Sequence, residues 1–203
     1  MADLIVYRFA DWDTPVRVQP HRSPQRFNRA GGGLAQYASL HPLGPWAEYI
    51  RAHGLRTIDS LLHVQSRTWA LRVPGDDLID LTYFTSVGFD LDPAALVSDD
   101  WGACQDFADR CRSVPAMPTQ FICPSAALPG TRNLVLLGPR VAVPYDLTPV
   151  AEVDIPASIT ADGARPLHTL LEAVRHYGDP HAEFEAWRRG QPFEFSEPGW
   201  PLL

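Results

Sequence analysis

The sequence predicts a single α+β domain with a mixed or antiparallel sheet flanked by helices. Short segments rich in β-formers come in runs rather than alternating strictly with helical segments, which argues against a doubly wound sheet. Helical spacing of apolar residues is confined to a few stretches. A chain of 203 residues with 45% hydrophobic side chains has the material for one core. Its 20 prolines are scattered without a repeat, so they mark turns rather than a disordered tract.

Leu4 to Phe9 alternates and opens the fold as a strand. Residues 10–33 read as a long loop holding Trp12, Pro15, Pro20, Pro24 and Gly31 to Gly33, and loops of that length inside compact domains are usually functional. Leu34 to Ser39 reads as a strand. Pro42 to His53 reads as a helix with Leu43, Trp46, Ala47 and Ile50 on one face. Further strands are expected at Thr68 to Val73, Leu78 to Leu81, Gln120 to Cys123, Asn133 to Leu137, Arg140 to Val143 and Ala151 to Ile155. Asp99 or Asp100 can cap a helix that buries Trp101, Cys104, Ala108 and Cys111. A helix carrying Leu167, Leu170, Leu171 and Val174 should follow Pro166, another should lie around His181 to Arg189, and the tail after Gly190 should be extended.

The formal net charge of −7 argues against broad electrostatic binding to nucleic acid or to an anionic membrane, so any phosphate must be held locally. The N-terminal stretch MADLIVYRFADWD has neither a basic n-region nor an apolar run long enough for a signal or membrane span, which places the chain in the cytoplasm. Cys104 and Cys111 stand roughly 10 Å apart along a helix axis, too far to bridge. With no CxxC pair in the sequence, the cysteines read as reduced core residues.

Taken one at a time, the polar candidates have ordinary explanations. Gly31 to Gly33 lack a following GK[ST] and form no GxGxxG, so they read as a flexible turn rather than a phosphate cradle. The histidines show no HExxH or other tight ligand spacing, and no metal is assigned. Ser125 sits in no GxSxG elbow. Glu48 points away from the apolar stripe of its helix, as a solvated glutamate would. Tyr37 reads as a core residue, Asn133 as a turn residue and Arg26 as a surface charge. Arg8 interrupts an apolar strand and needs a partner or a ligand.

The order of these pieces is more informative. Tyr7-Arg8-Phe9, Arg26-Phe27-Asn28, Gln36 to Ser39, Trp46 to Arg51, Leu78 to Thr82, Asp99 to Asp109 and Ile122 to Pro139 follow one another over about two thirds of the chain. In this the sequence resembles the RES domain, the toxin of Xre-RES toxin–antitoxin systems, named for an arginine, a glutamate and a serine. The stretch from Pro124-Ser125-Ala126 to Asn133-Leu134-Val135-Leu136 is the most specific part. The chain departs from many members by having Gln25-Arg26-Phe27-Asn28 in place of Gly-Arg-Trp-Asn. Residues 148–203 match nothing in the resemblance. They are taken as a C-terminal extension, with one or two helices, of a RES-like domain spanning 1–147.

The resemblance implies a fold similar to that of ADP-ribosyltransferase toxins and an enzyme that degrades NAD by phosphorolysis or hydrolysis. Transfer of ADP-ribose to a protein is the alternative, and an inactive nucleotide- or partner-binding module the second. Carried over to matching positions, it implies Arg26, Glu48 and Ser125 as catalytic residues and Arg8, Tyr37 and Asn133 as NAD-binding residues. NAD is then a substrate, with water, inorganic phosphate or a protein as acceptor, and no bound cofactor is needed. The implied partner is an Xre-type antitoxin that blocks the pocket.

The residue types suit that chemistry. Cleaving the nicotinamide–ribose bond develops an oxocarbenium-like cation, which the carboxylate of Glu48 would stabilise. The guanidinium forks of Arg8 and Arg26 would hold the pyrophosphate. Tyr37 would stack or hydrogen-bond, and Ser125 and Asn133 would orient ribose or amide.

Overall fold

The computed structural model describes residues 4–9, 23–73, 75, 78–83, 88–138 and 157–189. Seven strands form one sheet in the order β4-β5-β6-β2-β1-β3-β7. They are β1 (Leu4–Phe9), β2 (Ala35–Ser39), β3 (Ser66–Val73), β4 (Ile79–Asp80), β5 (Gln120–Pro124), β6 (Arg132–Leu137) and β7 (Ala157–Ala164). Neighbours run antiparallel except β4 and β5, which are parallel. The helices are α1 (Gly44–His53), α2 (Ile58–Leu61), α3 (Gly102–Ser113), α4 (Leu170–Ala173) and α5 (Ala182–Arg188). The chain is thus an α+β fold with a mixed, largely antiparallel sheet. No helix among the described residues is long and apolar enough to cross a membrane.

Strand alternation divides the core. Phe121 and Cys123 of β5, Val135 and Leu137 of β6 and Ala35 of β2 face α3, which buries Cys104, Phe107, Ala108 and Cys111 against them. Ile122 and Leu134 point the other way and pack with Val6, Leu71 and Val73. The apolar stripe of α1, Trp46, Ala47 and Ile50, closes a third cluster with Leu61, Val64, Ala127 and Leu128, to which Leu170 and Val174 of the C-terminal part also belong. All three cysteines are buried and free. Burial pushes the thiols of Cys104 and Cys111 up to about 11, so they are inert, protonated core residues.

Several expectations shift. The helix expected to start at Asp99 or Asp100 starts at Gly102, with Asp100 Oδ1 accepting the Gly102 N–H at 2.9 Å while Asp99 turns aside to bind arginines. Trp101, expected in the core, is only half-buried. The helix after Pro166 is the single turn α4, since Leu167 and His168 serve as the turn leading into it and Val174 is extended. The strand expected at Leu78 to Leu81 shortens to Ile79–Asp80, because Asp80 Oδ1 accepts the Thr82 N–H and starts a 3-10 turn. The single turn α2, closed by a Thr57/Ser60 capping box, adds a helix beyond those expected. The strands expected at 140–143 and 151–155 and the tail after Gly190 lie outside the described residues.

The two ends of α1 are fixed by Gly44 and Pro45 at its start and Gly54 at its close. Pro45 occupies the first turn, where no N–H is needed, and Gly54 (φ 62°) ends the helix in the left-handed region. Gly44 lets the first turn press on the end of β2, for a Cβ there would come within 1.9 Å of Ser39 Oγ and 2.4 Å of Ser39 Cβ. Gly44→Ala should therefore cost about 1–3 kcal/mol in denaturant unfolding, as overpacking does. A Ser39→Gly, Gly44→Ala double variant should recover part of that loss, because the crowding lies between these two side chains.

Candidate active site

A cavity of about 510 Å³ opens between α1, the sheet face toward α3 and the turn at residues 25–28. Its lining includes Arg8 from β1, Arg26 from the turn, Tyr37 from β2, Glu48 and Arg51 from α1, and Asn133 from β6.

Glu48 is not the solvated side chain that its helical position suggests. The Asn133 amide donates to Glu48 Oε1 at 2.8 Å, and the Ser125 hydroxyl donates to the same oxygen at 3.2 Å. Oε2 has no hydrogen bond among the described residues, although Glu48 lines the cavity. Asn133 reaches Glu48 because it stands beside Ser39 of β2 in the sheet register, at the strand end from which the chain turns into α1. Ser125 is fully buried and does not line the cavity. Its Oγ also accepts the N–H groups of Ala127 (3.2 Å) and Leu128 (3.1 Å), winding the turn between β5 and β6. Its position is therefore that of a group orienting the carboxylate from behind, without access to a substrate.

Arg26 is aimed by a turn pinned on several sides. Gln25 and Asn28 exchange backbone hydrogen bonds, Gln105 of α3 donates to the Gln25 carbonyl, and Arg112 of α3 donates to that of Phe27. The Tyr37 hydroxyl accepts the Phe27 N–H at 3.1 Å and donates to Asn28 Oδ1 at 2.8 Å. The Tyr37 hydroxyl thus holds this turn while its ring faces the cavity, and burial raises its phenol well above the ordinary value. Arg26 Nη1 donates to the carbonyls of Ala95 (3.1 Å) and Ser98 (2.7 Å), committing one of its nitrogens to the fold. Gly31 to Gly33 do not line the cavity; Gly33 makes room for the Arg112 side chain, whose Nε would lie 2.4 Å from a Cβ there.

Among the described residues, Arg8, Arg26 and Arg51 line the cavity together with the carboxylate of Glu48, in a chain of net charge −7. Burial lowers Arg8 to about 10, so it stays charged at neutral pH. Among the described residues no group of His, Cys, Asp and Glu side chains is arranged to hold a metal.

Residues 5–158 match the family model of the RES domain. The chain belongs to the RES domain family. Among solved structures it is similar to a chain of the crystal structure of the M. tuberculosis MbcT–MbcA toxin–antitoxin complex. The two share 16% identity at a TM-score of 0.59, with 85% of this chain and 89% of that chain covered, so the likeness is one of fold. No curated protein matches the sequence.

The cavity of this RES domain also has walls that the sequence pattern does not single out. Arg51, Trp101 and Tyr177 line it, and Tyr177 lies beyond the matched residues. Arg51 has a legible signal: it stands three residues after Glu48 on α1, the spacing that puts two side chains on one helix face. Tyr177 has none, because its place depends on a turn formed far along the chain.

Behind Ser125, His181 is buried and its Nε2 donates to the Ser125 carbonyl at 3.3 Å. Burial lowers its pKa to about 4, opposed by that hydrogen bond and reinforced by Arg175, Arg51 and Arg26. His181 is therefore neutral in the folded protein, whereas it charges near pH 6.5 when unfolded. The stability from this difference is fully present above about pH 6.5 and is lost as pH falls toward 4, amounting to about 3 kcal/mol. Denaturant midpoints across that interval should fall for the native protein and fall less for His181→Gln. Ser125→Ala should lower stability by about 1–3 kcal/mol, measured the same way at neutral pH, because it leaves two buried N–H groups without their acceptor.

Proposed function

We propose that this RES domain cleaves the bond between nicotinamide and ribose in NAD, with water or inorganic phosphate taking up the ribosyl group, and acts as the toxin of a toxin–antitoxin pair. The observation that carries the reading is the Glu48 carboxylate, oriented by Ser125 and Asn133 through one oxygen, in a cavity lined by three arginines.

As the C–N bond lengthens, its electron pair passes to the pyridinium ring, nicotinamide leaves neutral and positive charge grows on the ribose. A carboxylate held beside that ring favours the transition state over the ground state, because its two hydrogen bonds fix it before the charge appears. Arg8 and Arg26 supply the attraction for the pyrophosphate that the acidic chain as a whole lacks. The acceptor oxygen then bonds to the anomeric carbon, and a water acceptor loses its proton to solvent or to Glu48. Ser125, enclosed behind the carboxylate, directs its hydroxyl to Glu48 rather than serving as a nucleophile.

The toxin role and an Xre-type antitoxin are supported by the RES family and by the likeness to a chain from a toxin–antitoxin complex. An antitoxin would act most simply by filling the mouth of the same cavity. Induced alone in a bacterial host, the chain should arrest growth, and co-expression of the neighbouring gene should relieve the arrest with the two products co-purifying.

Purified protein incubated with NAD should release nicotinamide, followed by chromatography with and without inorganic phosphate. Glu48→Ala should reduce the rate at least about a hundredfold, the scale seen when a group stabilising transition-state charge is removed. An ADP-ribose 1″-phosphate product that appears only with phosphate identifies a phosphorylase, and free ADP-ribose a hydrolase. Absence of turnover over hours at micromolar enzyme rejects the reading.

A further inference from the structure

We propose that Arg51, Trp101 and Tyr177 form a subsite for the adenosine diphosphate half of the dinucleotide, so that the turn at residues 175–179, beyond the RES match, is part of the substrate site. This deepens the NAD-cleaving reading and rests on it.

Arg51 is only 3% exposed, yet it lines the cavity one helical turn beyond Glu48. Its Nη2 donates to Asp99 Oδ1 at 2.5 Å, and its Nε and Nη1 are buried without a hydrogen-bond partner among the described residues. A guanidinium buried with donors unused is costly unless something arrives to accept them. Asp99 does not consume its charge. The same carboxylate accepts Arg175 Nη1 at 3.0 Å and the Gly178 N–H at 2.7 Å, so one negative charge is shared by two guanidiniums. Glu48 and Asp99 both act on Arg51, and the guanidinium edge that neither occupies is of the kind that a phosphate oxygen accepts from.

The aromatic side of the subsite is set by the same carboxylate. By holding Arg175 and Gly178, Asp99 fixes the turn that carries Tyr177, whose ring centroid lies 4.4 Å from the Arg51 guanidinium carbon. Tyr177 is nevertheless 46% exposed and lines the cavity, with the Trp101 ring 6.5 Å away at 54°. A large aromatic left open on a cavity wall next to a second one is a stacking surface for a planar base. Arg51 stands about 4.5 Å beyond Glu48 along the helix axis, with the Tyr177 ring against it, so a ribose beside Glu48 would place its phosphate and base toward these residues.

Tyr177→Ala is the cleanest test, because the residue is half exposed. It should raise KM for NAD about tenfold, the scale of one lost stacking contact, with kcat within about twofold. Turnover of nicotinamide mononucleotide, which lacks the adenylate, should be unchanged. Equal losses on both substrates, or an unchanged KM for NAD, overturn the proposal. Calorimetric titration with ADP separates the subsite from the chemistry, since it needs no turnover. Binding weakened about tenfold by Tyr177→Ala, and at least as much by Arg51→Gln, supports the subsite even if no NAD is cleaved. Cleavage of NAD by a protein that binds no ADP overturns the subsite and leaves the cleavage reading standing.

Discussion

The placement of one carboxylate organises this molecule. A half-buried glutamate loses hydration that must be replaced, and here two side-chain donors on one oxygen replace part of it, with Arg51 one turn away on the same helix. Each of these partners imposes a demand on the fold. Asn133 requires β6 to lie beside β2 in a fixed register, since a slip of one residue would carry its amide to the other face of the sheet. Ser125 requires the chain to turn sharply after β5, which its own Oγ achieves by accepting two backbone N–H groups. Glu48 itself requires α1 to start hard against the end of β2, which only a residue without a Cβ permits at Gly44.

The C-terminal part is tied to the same turn. The Arg175 N–H donates to the Ala127 carbonyl, His181 donates to the Ser125 carbonyl, and Leu170 and Val174 pack beside Ala127 and Leu128. The hydrogen-bond chain from His181 through Ser125 to Glu48 therefore runs from the C-terminal helices to the cavity wall without leaving named side chains and one peptide unit. Asp99 repeats the pattern on the other wall. Burial alone would raise its carboxyl, but the Gly178 N–H and the guanidiniums of Arg175 and Arg51 outweigh that and hold it below the ordinary value. It remains an anion at neutral pH and keeps both arginines in place.

What can be read from the sequence is what depends on local pattern. Period-two alternation locates β1, β2, β5 and β6 to within about a residue, and the stripe of Trp46, Ala47 and Ile50 locates α1. The one-turn helix α2 is too short to show a period, whereas α4 and β4 are found in place but shorter than the pattern around them suggests. At the site, Glu48 looks solvated in the sequence because helical spacing reports only which residues face the helix's own packing stripe. It is silent about a hairpin turn from elsewhere that supplies donors to another side. The order of motifs compensates for this by bringing Glu48, Ser125 and Asn133 under one reading without any distance. It is also silent about roles: Ser125 and Tyr37 spend their hydroxyls on fixing neighbours, a fact that only the hydrogen-bond partners reveal.

Charge is distributed differently inside the cavity and outside it. An acidic chain repels anions at long range, so a polyanion such as nucleic acid meets a net unfavourable field. Among the described residues, three arginines and Glu48 line the cavity, and low-dielectric walls make charges there count for more than distant charges screened by solvent. This suits the proposed substrate, which is small enough to enter whole and would carry phosphate at one point and developing positive charge at another. The two demands fall on different side chains, and Glu48 and Arg51 keep them apart by one turn of the same helix. In the proposed reaction, a rigid spacing between Arg51 as anion binder and Glu48 as cation stabiliser would let binding energy at the phosphate end be used at the bond that breaks.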